Sequence, residues 1–83
     1  MDPVKTVVHP LNIREAGDNR IRVRGTIRIG QVPVGSSLEF KTTDGRTHRL
    51  SVLCVDEGKR HVELLLQGDS VAELTAGRFL TSV

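Results

Sequence analysis

Arg20-Ile21-Arg22-Val23-Arg24-Gly25-Thr26-Ile27-Arg28-Ile29 alternates polar and apolar side chains with a period of two. Successive side chains on a β-strand point to opposite faces. The spacing therefore sends Ile21, Val23, Ile27 and Ile29 inward and Arg20, Arg22, Arg24, Thr26 and Arg28 outward. A helix would scatter the same apolar residues round its circumference. The stretch predicts a strand with an aliphatic inner face and a guanidinium-rich outer one.

Turn chemistry on either side divides the chain into further short strands. Upstream, Ala16-Gly17-Asp18-Asn19 gathers turn formers and predicts a hairpin between Val4–Ile13 and Arg20–Ile29. Pro10 has no N–H for a ladder and marks an edge or bulge in the first strand. Downstream, Gly30, Pro33 and Gly35 punctuate a connection to a strand at Ser37–Thr42. The Asp-Gly pair in Thr43-Asp44-Gly45-Arg46 is a hairpin cue leading to His48–Val55. Asp56-Glu57-Gly58-Lys59 predicts the next turn and Arg60–Leu66 the next strand. From Gly68 to Gly77, Val71 and Leu74 fit one short helical turn, and Phe79–Val83 reads as the closing strand. Such spacing predicts an all-β fold: one domain over residues 1–83, a small antiparallel closed β-barrel of six to seven strands. Closure removes the exposed edges that a short β protein must otherwise protect.

Composition narrows the function classes. At 83 residues the chain buries only about 60–65% of its unfolded surface, so apolar positions are needed for the core. With Phe40 and Phe79 as its sole aromatics, that core is built from Val, Ile and Leu. The single cysteine, Cys54, has no internal disulfide partner and fits a reducing compartment. The first residues lack the basic and apolar regions of a signal peptide, and no run reaches the roughly 18 apolar residues of a membrane span. The expectation is a cytoplasmic protein without membrane contact. A net charge of +2 permits anionic partners without demanding them.

Three stretches resemble domain II of the translational GTPases, such as elongation factor Tu. Arg24-Gly25-Thr26-Ile27-Arg28-Ile29-Gly30 is similar to the family's Arg-Gly-Thr-x-x-x-Gly strand, and Val34-Gly35-Ser36-Ser37-Leu38-Glu39-Phe40 to its Val-Gly-x-x-Val/Leu-x-Ile/Phe strand. Val62-Glu63-Leu64-Leu65-Leu66-Gln67-Gly68, continued by Leu74, Gly77 and Leu80, is similar to its closing segment. The likeness runs from about Arg20 to the end; the Ala-Gly-Asp/Glu-Asn element expected between Glu57 and Val62 is missing. It implies a translation-factor barrel without its GTPase domain, and it places Glu57 near the family's pocket for the aminoacylated tRNA end. An exposed turn acid is the ordinary reading of Glu57. Gly25 to Gly30 satisfies G-x-x-x-x-G, but Gln31 stands where a phosphate-binding loop needs Lys. No nucleotide, no other cofactor and no enzyme activity are expected.

Arg20, Arg22, Arg24 and Arg28 are the anion- and RNA-binding candidates. Neighbours two apart on a strand lie roughly 6.5–7 Å apart, within a Debye length of about 8 Å, so their repulsion is only partly screened. Phosphates would relieve it through bidentate guanidinium contacts. Cross-strand pairing with Glu15, Glu39 or Glu63 would relieve it equally. Neither Phe lies in the arginine strand, which argues against base stacking and leaves backbone contact to structured RNA. Leu50, Val52, Leu53 and Val55, with Leu64, Leu65 and Leu66, place apolar groups on both faces of two strands. Leu53, Val55 and Leu65 are the interface candidates for a partner or a homo-oligomer. His9, His48, His61 and Cys54 lack any paired metal-ligand spacing, so no metal is expected. The serines lack a nucleophile elbow, and Asp44, Asp56, Glu57 and Asp69 mark turns.

The function expected is a non-catalytic binding module docking on structured RNA or a protein partner. One alternative is a structural, oligomerising subunit. Another is a ligand-sensing barrel resembling the PilZ domains, whose Arg-x-x-x-Arg is matched by Arg20 and Arg24 but whose Asp/Asn-x-Ser-x-x-Gly partner is absent.

Overall fold

The alternating stretch forms β2 (Arg20–Ile29) of six strands, joined by β1 (Val7–Glu15), β3 (Ser37–Lys41), β4 (Thr47–Glu57), β5 (Val62–Gln67) and β6 (Leu80–Ser82). The computed structural model describes residues 6–68, 74–75 and 77–82, and no helix occurs among them. Every pairing is antiparallel, in the order β1-β2-β5-β4-β3-β6, and β6 returns to β1 to close the barrel. Val71 of the expected helical turn lies outside the described residues, while Leu74 is buried in the core. No helix of the described residues is long and apolar enough to cross a membrane.

Aliphatic side chains fill the interior. Leu38, Leu50, Leu64, Leu66 and Leu80 are fully buried, with Phe40 beside them. Each buried Leu contributes about 1.5–3 kcal/mol relative to exposure, which is how a barrel this small offsets its chain entropy.

Three irregularities in register decide which side chains face the core. In β1 the pairing shifts between Pro10↔Gly25 and Asn12↔Arg24, leaving Leu11 as an extra, exposed residue. Proline and bulge thus coincide, as a residue without an N–H requires. In β2 the pairing shifts between Val8↔Ile27 and Val7↔Ile29, making Arg28 the extra residue. The shift corrects the inward assignment of Ile29: past the bulge it faces outward and is 53% exposed, while Ile27 packs partly against the core. In β4 the shift between Val52↔Leu66 and Cys54↔Leu65 makes Leu53 the extra residue. Leu50 and Val52 point in before it, and Val55 packs against the core after it. The apolar groups that seemed to occupy both faces of β4 are therefore largely one face with its phase reset, since an inserted residue inverts a period of two.

Strand ends also move. β1 extends to Glu15, and its turn is closed by Arg20 N–H donating to the Gly17 carbonyl at 2.8 Å. β4 runs through Asp56 and Glu57, so the turn expected at 56–59 becomes Gly58–His61, closed by Gly58 N–H donating to the His61 carbonyl at 2.8 Å.

Candidate nucleic-acid interface

Pairing across β1, β2, β5 and β4 arranges the outward side chains in rows. One row reads Arg14, Arg22, Leu65, Cys54, and the next reads Asn12, Arg24, Glu63, Asp56. Arg20 stands opposite Gln67, which in turn faces Ser51. Arg14 and Arg22 are direct cross-strand partners. Like charges so placed, with Cβ atoms about 4.5–5.5 Å apart, destabilise a sheet unless an anion intervenes.

Glu63 is the acid set among these arginines. With Asn12, Arg14, Arg22 and Arg24 it lines a shallow pocket of about 220 Å³. Its Oε1 lies 4.0 Å from Arg22 Nη1, and the two side chains are 45% and 56% exposed. A contact so long and wet is worth well under about 1 kcal/mol, so it does not consume the basic character of the wall. Of the acids expected to pair with the arginines, Glu39 stands instead opposite Arg49 and Thr81, and Glu15 opposite Ile21.

The basic surface extends beyond the arginine strand. The β4–β5 turn brings Lys59, Arg60 and His61 beside Arg24, Asp56 and Glu63 around a groove of about 460 Å³. Arg14, Arg20, Arg22, Arg24, Lys59 and Arg60 are thereby set against Asp56 and Glu63. Arg14, Lys59 and Arg60 were not anticipated, although the register needed for Arg14 was available. A hairpin folded symmetrically about 17–19 pairs residue 14 with residue 22, as observed.

The remaining candidates are dispersed. Arg28 is exposed at the β2 bulge, and Glu57 is exposed at the end of β4 opposite Val62. Of the interface candidates, Leu53 is 37% exposed at its bulge and Leu65 is half-buried between Arg22 and Cys54. Val55 belongs with the core, which corrects its assignment to an outer face. His9 contacts Phe79, His48 contacts Phe40, His61 sits in the β4–β5 turn, and Cys54 is exposed on β4. Among the described residues no three His, Cys, Asp or Glu side chains converge as a metal site would require.

Asp44 shows what the charged loops do structurally. In the β3–β4 turn its carboxylate accepts from the Thr42 hydroxyl and, at 3.2 Å, from the Arg46 N–H. These bonds, the Thr42 hydroxyl foremost, hold its carboxyl below the ordinary aspartate value because they favour the charged form.

Compared with known protein families, curated proteins and solved structures, the chain matches none.

Proposed function

We propose that this barrel is a non-catalytic binding module, a counterpart of translation-factor domain II working in the cytoplasm, which docks on structured RNA through its basic wall. The observation that carries this reading is the direct opposition of Arg14 and Arg22, with Arg24 in the next row and Glu63 only loosely engaged. Guanidinium groups held at sheet spacing suit phosphate oxygens, which they contact in bidentate fashion. Phosphate contacts set position and affinity without reading sequence, which suits a rigid wall. The patch expected of Leu53, Val55 and Leu65 shrinks with Val55 packed against the core, which weakens the observation behind the oligomerising alternative.

The test is a mobility-shift titration with a folded RNA hairpin across a range of salt concentrations, comparing the unaltered protein with an Arg22→Glu/Arg24→Glu double variant. Binding that weakens as salt rises and disappears in the variant is expected. Absence of salt-sensitive binding by the unaltered protein would remove the reading.

A further inference from the structure

Phe79 has a setting that core packing does not explain. Phe40 is buried, whereas Phe79 is 49% exposed. Its ring lies against His9, with centroids 4.9 Å apart and planes inclined by 32°. A half-exposed Phe forgoes part of the about 1.5–3 kcal/mol that full burial gives, so a partner for its free face is the physical question.

Its surroundings answer by charge. The β1–β6 pairing of Val8 with Leu80 brings Phe79 beside His9, and His9 stands opposite Thr26 on β2. Arg24 lies two residues along the same outer face of β2, so the aromatic pair borders the arginine wall. On its other side Phe79 lines a groove of about 440 Å³ with Lys41, Arg78, Thr47, Thr81 and the acid Glu39. Arg78 is fixed there by donating from Nη1 to the Lys41 carbonyl. Cations on both flanks disfavour an apolar protein surface, because docking one would strip water from charges left unpaired. They favour a flat π-system that carries its own negative charges.

We propose that this face binds single-stranded nucleic acid. One base stacks on Phe79 beside His9, with flanking phosphates at Arg78 and Lys41 on one side and at Arg24 on the other. Aromatic platforms bordered by basic grooves bind unpaired strands this way, since every base has a stacking face. The inference rests on the nucleic-acid reading above and extends it from backbone contact to base contact. It runs counter to the expectation from sequence, where the lack of a Phe in the arginine strand argues against base stacking: Phe79 lies far from that strand along the chain, and closure of β6 on β1 brings it near.

Fluorescence anisotropy with a labelled single-stranded RNA, the DNA of the same sequence and an RNA hairpin distinguishes the outcomes. Phe79→Ala is expected to weaken single-strand binding roughly 5- to 150-fold and to leave hairpin binding unchanged. DNA is expected to follow RNA, because stacking and phosphate contacts do not read the 2′-hydroxyl. Phe79→Trp is expected to restore affinity, and its emission, free of any native tryptophan, to be quenched by the bound strand. An unchanged single-strand affinity in Phe79→Ala, or unquenched emission from Phe79→Trp with the strand bound, overturns the stacking site and leaves the hairpin-binding reading intact. Failure of the unaltered protein to bind either RNA overturns both.

Discussion

A Cβ placed on Gly25 would stand 2.2 Å from the His9 carbonyl oxygen, nearer than real carbons approach. Gly25 is paired with Pro10 immediately before the β1 bulge, and there the β1 backbone fills the space a side chain would need. The same approach holds His9 opposite Thr26 and so places the aromatic pair beside the arginine wall. Backbone crowds the site, so no side-chain rotation can relieve a methyl group there.

Gly25→Ala is therefore expected to destabilise the barrel by about 1–3 kcal/mol, toward the upper end because backbone must move. Urea denaturation measures the effect. A variant as stable as the unaltered protein would show that β1 does not run this close.

The β4 bulge separates two residues, Leu53 and Val55, that simple alternation would place on one outer face. With Leu53 as the extra residue, Val55 packs against the core and Leu53 does not. Val55→Ala should cost about 1–2 kcal/mol, and Leu53→Ala, whose side chain is over a third exposed, should cost less. An effect of Val55→Ala as small as that of Leu53→Ala in paired melts would mean that β4 continues in phase through residue 53, with both side chains on its outer face.

Arg22 and Glu63 separate charge from stability. Their exposed, long contact predicts a double-mutant coupling below about 1 kcal/mol. Removing the acid from among the arginines should, on the proposed function, help RNA binding. Glu63→Gln is expected to tighten hairpin binding at low salt, and Arg22→Gln to weaken it, with little change in either melt. Weaker binding by Glu63→Gln would count against the wall as the docking surface.

Much of this architecture was legible in the chain, and the physical reason is the strict period of two. Ile21 and Val23 face inward and the arginines outward because nothing interrupts that period before Gly25. The reading failed where a single inserted residue resets the phase: Ile29 after Arg28, and Val55 after Leu53. Bulges leave little trace in side-chain chemistry unless a proline announces one, as Pro10 does. The site was half legible. Arg20, Arg22 and Arg24 share one strand and were visible together. Arg14, Lys59 and Arg60 join them through register and a hairpin turn, and Phe79 meets His9 only when β6 closes on β1.

Asp44 makes the last prediction, in the turn that sets the register of β3 against β4. Its carboxylate is bonded by the Thr42 hydroxyl and the Arg46 N–H, and the Arg46 side chain lies 3.4 Å away. Because its folded pKa is lowered from the ordinary 3.8, the folded state holds the charged form more firmly than the unfolded chain does. The resulting stability is present above 3.8 and disappears as pH falls through the lower folded value. Asp44→Asn is therefore expected to melt below the unaltered protein near neutral pH, by a modest margin because the group is exposed and screened by water, and the two melts should converge in acid. Carboxyl-carbon NMR of Asp44 should titrate below 3.8. A melting difference that stays constant as the pH is lowered, or a carboxyl titrating at the ordinary value, would show that the charge on Asp44 does not support the turn.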